Sequence, residues 1–217
     1  MKLLLKNRSV LLLMLLLFLS MEGAYAQHIT GLVKSKSSTI YFEDFGTEIK
    51  RFDGQIKSNF VGSKYSIQMT DGKENFSGEI KEKFSKFVID IKYGDKIIKG
   101  EIELSPNHTV DEWDIEIFGK KLSGTVDHNI MNTEDFYELI YDGQKISGSI
   151  FLRLNHLVYD LKFGKNNISG KMAYNISTVK HKYELNIDGL TEEEFEVLFF
   201  IECIKLLNEF VDENEDF

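Results

Sequence analysis

The chain of 217 residues contains one cysteine, one proline and one tryptophan. A lone Cys203 cannot close an internal disulfide, so a fold of this size must be held by buried surface rather than by covalent staples. A single proline, Pro106, and the lack of Ser- or Pro-rich tracts leave no linker to mark a second domain. Positive charge is also scarce: 26 Lys and Arg stand against 35 Asp and Glu, a net charge of −9. That balance opposes binding to nucleic acid, and to anionic lipid headgroups, through general electrostatics. Past residue 26 no apolar run approaches the ~20 residues of a spanning helix, so no transmembrane segment is expected in the mature chain.

The N-terminus carries what the rest lacks. Lys2, Lys6 and Arg8 precede an apolar stretch from Val10 to Leu19, and Ala24-Tyr25-Ala26 has the A-x-A form of a cleavage site. Residues 1–26 therefore read as a secretory signal peptide with the cut after Ala26. The expected location is secreted or periplasmic. With three basic residues and one acidic one the leader is at +2, which leaves the mature chain near −11 of the −9 total. Its remaining 191 residues suit one domain with a sizeable core.

One internal signal organises that domain. The pattern apolar-x-Gly-x-apolar recurs around Gly54, Gly78, Gly100, Gly124, Gly148 and Gly170, at spacings of 24, 22, 24, 24 and 22 residues. All twelve intervening x positions are polar or charged, the period-2 signature of a strand with one dry face and one wet face. A turn precedes each strand: aromatic-Gly at Phe45-Gly46, Tyr93-Gly94, Phe118-Gly119 and Phe163-Gly164, and Asp-Gly at Asp71-Gly72 and Asp142-Gly143. Alternating strands such as Tyr137/Leu139/Tyr141 lie upstream of most turns. Units of about 23 residues, each strand–tight turn–strand, predict about thirteen strands in an up-and-down antiparallel meander. Residues 27–38 are left as either a further strand or a loose arm. The glycines sit on the apolar face, where they weaken a strand unless it bends sharply or something approaches closely.

The end of the chain supplies a candidate for that approach. Thr191 with Glu194 forms a capping box, and Glu192, Glu193 and Glu194 suit a helix N-terminus. A helix over residues 191–211 follows, ahead of an acidic tail at 212–217. Phe195, Phe199, Cys203, Leu206 and Phe210 belong to an apolar arc of about 200°, twice the usual width, so the helix should be wrapped rather than laid on a surface. Glu202 and Lys205 fall on a polar strip expected to face an open seam or a barrel mouth. The expected fold is mainly β with one C-terminal helix, the sheet curled or closed around it. An open rolled sheet remains an alternative. An outer-membrane barrel is disfavoured by strands of six to eight residues, where spanning strands need about 9–11. Aromatic-x-Ile-x-x-Asp-Gly hairpins followed by the hydrophobic helix from Leu190-Thr191-Glu192 to Phe210 resemble the tubby-like fold, including LURP-one-related proteins. The resemblance implies a barrel of about a dozen strands threaded by its last helix. The central glycine of alternate strands and the leader depart from that family, and no individual functional residue carries over.

Candidate sites are few. His108, His128 and His156 sit where hairpins join and form a candidate binding rim, without the H-x-H or H-x-x-x-H spacing of a metal site. Asp111, Glu112 and Asp114 lack a calcium-loop pattern. Cys203, inside the apolar arc, reads as a core thiol. No nucleophile elbow, P-loop or dinucleotide fingerprint occurs, so neither a catalytic residue nor a cofactor is expected. These features favour an exported non-enzymatic binding or structural module whose partner is a protein, a glycan or an envelope component. The alternative is a lipid or apolar-ligand binding protein with the helix as plug.

Overall fold

The computed structural model describes residues 26–36, 38–48, 50–59, 63–107, 109–129, 133–175 and 180–215; side chains at 26, 174–175 and 208–215 lie outside that description. Residues 1–25 of the leader, His108 and the end of the acidic tail fall outside it as well. Fourteen strands follow in order: β1 (Ala26–Lys36), β2 (Thr39–Gly46), β3 (Arg51–Asn59), β4 (Lys64–Thr70), β5 (Asn75–Lys83), β6 (Lys86–Tyr93) and β7 (Lys96–Leu104). The second half comprises β8 (Val110–Ile117), β9 (Lys120–His128), β10 (Glu134–Tyr141), β11 (Gln144–Arg153), β12 (His156–Phe163), β13 (Asn166–Asn175) and β14 (Lys180–Asp188). Helix α1 (Glu192–Glu215) ends the fold.

Each strand pairs antiparallel with its sequence neighbours, and β1 pairs with β14 from Ala26↔Asp188 to Lys34↔Lys180, which closes the barrel. Residues 26–36 are therefore the closing strand rather than a loose arm, and the open rolled sheet is set aside. The β1 sequence Ile29-Thr30-Gly31-Leu32-Val33 is a seventh copy of the glycine motif. Apolar Leu32 at an outward position hides it from a search for strict alternation. The barrel is thus seven hairpin units, each a glycine-bearing strand followed by one rich in inward aromatics.

Alternation decides what faces where. In β8, Asp111, Trp113, Ile115 and Ile117 are buried while Glu112, Asp114 and Glu116 are exposed. Charged pairs such as Lys99–Glu116 at 3.3 Å and Lys145–Glu138 at 2.9 Å cover the outer wall. That arrangement inverts a membrane-spanning barrel, whose outward side chains must be apolar. Strand length alone would not have decided it, since the strands run to 11 residues rather than six to eight.

Helix α1 fills the lumen. Every residue from Glu194 to Leu207 is buried, on all sides of the helix, including Phe195, Phe199, Cys203 and Leu206. Phe210 lies in α1, but its side chain is outside the described residues. The helix extends to Glu215, beyond Val211 and into the segment read as tail. Phe199 is the hub of the core: its ring stacks on Phe52 at 4.0 Å and meets Phe42, Phe45 and Phe76 at 5.6, 5.4 and 6.0 Å.

The glycines do not make room for this helix. At Gly54, Gly78, Gly100, Gly124, Gly148 and Gly170 the two atoms nearest an added Cβ belong to the backbone of the following strand, with none from α1 among the three closest. At Gly124 these are Glu138 O and Leu139 Cα, at φ +140°, a conformation that side chains rarely adopt. The glycines thus mark where one strand crosses close over the next as the sheet coils.

Candidate functional site

The barrel has two rims. Turns that lead into odd-numbered strands form the rim where α1 enters, and turns that lead into even-numbered strands form the opposite rim. At the entry rim, residues at or just before the start of a strand reach inward to the first turns of α1. Lys50 Nζ contacts Glu192 at 2.8 Å, Asp71 at 3.4 Å, and Glu196. Lys96 reaches Glu196 at 3.1 Å and Lys120 reaches Glu193 at 3.0 Å. Tyr141 Oη donates to Glu193 at 2.7 Å, and Gln144 Nε2 donates to Glu194 at 2.9 Å. The capping box forms as expected: Thr191 N–H donates to Glu194, and Glu194 N–H to Thr191 Oγ1.

Lys50 and Glu196 are 7% and 3% exposed, which sets this pair apart from the surface ion pairs. Burial alone would lower the Lys50 pKa, but hydrogen bonds to Glu192 and Glu196 outweigh it and hold the ammonium well above its usual range. Burial likewise opposes ionisation of Asp71, whereas the Tyr93 hydroxyl and the backbone N–H groups of Glu74 and Lys73 keep its carboxylate well below the usual range. Lys50→Ala leaves Asp71 and Glu196 without their shared cation. With Lys96 still beside Glu196, a loss of about 3 kcal/mol is expected by urea denaturation, the low end for a broken buried pair.

Deeper in the lumen, Glu202 accepts hydrogen bonds from Tyr159 Oη at 2.9 Å and Tyr183 Oη at 2.7 Å, with Lys205 Nζ at 3.7 Å. Glu202, on the polar strip of α1, is therefore met by the wall, and the closed barrel leaves no seam for it to face. Sequence reasoning missed these partners, although tyrosines recur at inward positions of β12 and β14 and a Lys or Gln follows several turn glycines. Cys203 is fully buried, and burial with Glu202 nearby pushes its thiol well above the usual range.

The histidine rim divides. His128 and His156 both lie at the opposite rim, but the structure does not bring them to one site. His128 points inward and is clamped by Asp111, with Nε2 3.1 Å from Oδ2, and by Asp135, with Nδ1 2.8 Å from Oδ1. His156 has Asn155 Oδ1 at 3.4 Å. Asp111 is buried and faces His128, while Glu112 and Asp114 are exposed on the outer wall. Among the described residues, no group of three or more His, Cys, Asp or Glu is arranged to hold a metal ion.

Two histidines set opposite limbs of a stability profile. Burial pushes His128 down, but the hydrogen bonds its ring N–H groups donate to Asp111 and Asp135 prevail and raise it to about 10. Its contribution is complete below its ordinary value of 6.5 and is lost as pH climbs toward 10. Burial and the nearby Lys205 charge lower His181 to about 4, so its contribution is complete above 6.5 and is lost as pH falls toward 4. Melting temperature should peak near pH ~6.5. His128→Gln should flatten the alkaline limb and His181→Gln the acid limb in a calorimetric pH series.

No family model, curated protein or solved structure matches this chain.

Proposed function

We propose that this protein is an exported, non-enzymatic binding or structural module that acts through its outer wall and rims. The observation that carries this reading is the filled lumen. Its centre is occupied by α1, and the charged side chains Glu196 and Glu202 are engaged by the wall. The side chains left to meet another molecule are those on the outside, among them Phe136 and Ile140 on β10. Affinity capture from envelope and extracellular fractions with the purified protein should retain a discrete partner. An empty eluate from all of those fractions would sink the proposal. A lumenal apolar ligand would instead require α1 to leave and to break its contacts with Lys50, Tyr159 and Tyr183. Native mass spectrometry showing a retained lipid would favour that second reading.

A further inference from the structure

We infer that the rim opposite the helix entry seats on the surface of an anionic lipid bilayer, with Phe84 and Leu154 as its two insertion points. The inference rests on the binding-module reading and names its partner. Among the described residues, Phe84 and Leu154 are the most exposed large hydrophobics, at 105% and 96% relative exposure. Each occupies the first position of a two-residue hairpin tip, between Lys83↔Lys86 and between Arg153↔His156. Each also has φ +54°, a left-handed conformation that is an outlier for bulky side chains. At the entry rim the same first-turn position is held by Gly94 and Gly164, with φ +59°, by Asp142, and by Phe118, whose ring packs on Tyr93 and under Lys96. Folding therefore gains nothing from Phe84 and Leu154: they are strained, they bury nothing, unlike Phe118 in its turn, and glycine serves in two equivalent turns. A strained, unpartnered apolar tip points to a role outside the fold.

Charge identifies the occupant. Of the fourteen strand ends on this rim, six are Lys or Arg (Lys36, Lys64, Lys83, Lys86, Arg153 and Lys180), and only Glu134 is acidic. At the entry rim only three strand ends are basic (Arg51, Lys96 and Lys120) and one is acidic (Asp188), so in a chain of net −9 the larger cationic fringe is at this end. The general electrostatics that keep such a chain off anionic headgroups therefore do not describe this rim. The tips read Lys-Phe-Ser-Lys and Arg-Leu-Asn-His, an apolar side chain directly preceded by a cation. Such a unit buries its hydrophobe below the headgroups while the flanking charges meet lipid phosphates. The two hairpins stand six strands apart in a circle of fourteen, close to opposite one another. Both tips reach one flat surface only when the barrel stands upright on it, which leaves the acidic helix entry facing away.

The test is flotation of the purified protein with vesicles of phosphatidylcholine alone or mixed equally with phosphatidylglycerol. Partition onto the mixed vesicles should exceed that onto the neutral ones by roughly tenfold and should weaken in high salt. The double variant Phe84→Gly, Leu154→Gly should lose roughly tenfold in partition or more. Its melting temperature should not fall, because glycine adopts this φ without strain, so loss of binding cannot be ascribed to unfolding. A wild type that ignores anionic vesicles, or a double variant that binds like wild type, overturns the inference. Capture of a protein or glycan by that same wild type would leave the binding-module reading standing, and failure of both experiments removes both.

Discussion

Gly124→Val is expected to destabilise the barrel by about 4 kcal/mol, with strain and overpacking each contributing in the range of 1–3 kcal/mol. An added Cβ lies 2.9 Å from Leu139 Cα and closer still to Glu138 O, both on the backbone of β10. A ladder-paired strand cannot yield as a flexible side chain can. Because the conflict is with the first carbon, Gly124→Ala should cost nearly as much. Had the glycine made room for the helix, alanine would be mild and valine severe. Gly119→Ala is the control: it also has positive φ, at +80°, but nothing lies within 4 Å of its Cβ, so only the conformational cost of about 1 kcal/mol applies. Urea midpoints of the three variants measure the order directly, and an alanine variant at Gly124 as stable as wild type would refute the crossing-strand account.

Phe199→Ala should cost about 4 kcal/mol, within the range for truncating a buried phenylalanine. The ring touches four other phenylalanines from β2, β3 and β5 and is itself almost fully buried. The wall cannot collapse into the gap, because a closed sheet has fixed circumference, so the cavity term should persist. Phe199→Leu should recover at least half the loss. Equal losses for both substitutions would show that the ring geometry rather than the filled volume is what matters.

Much of this architecture is legible in the sequence because the side-chain period of a strand is two. A polar residue on either side of each glycine from Gly54 to Gly170 fixes the inward face, and the turn glycines fix the connections. The apolar arc around Phe195, Phe199 and Cys203 likewise states that the helix is enclosed. What the sequence hid depends on contacts between distant elements. Leu32 breaks the alternation of β1, so the closing strand looks like an arm. Lys50 and Glu196 are 146 residues apart and each resembles an ordinary surface charge until the barrel brings them together. Composition misled as well, since a net charge summed over the chain conceals six Lys and Arg gathered at the strand ends of one rim. His128 could be placed at a strand end from the sequence, but its clamp by Asp111 and Asp135 requires the register of three strands.

The pairing of β1 with β14 also constrains the order of assembly. Every other pairing joins neighbouring segments and can form as the polypeptide emerges, whereas this one spans nearly the entire chain and cannot form until residue 188 is available. A sealed cylinder cannot then be threaded by a helix already bulky with phenylalanines, so the sheet must roll up around α1 before its last ladder zips. A helix that follows every strand in the chain thus acts as the mandrel for them, with high contact order concentrated in one slow closing step.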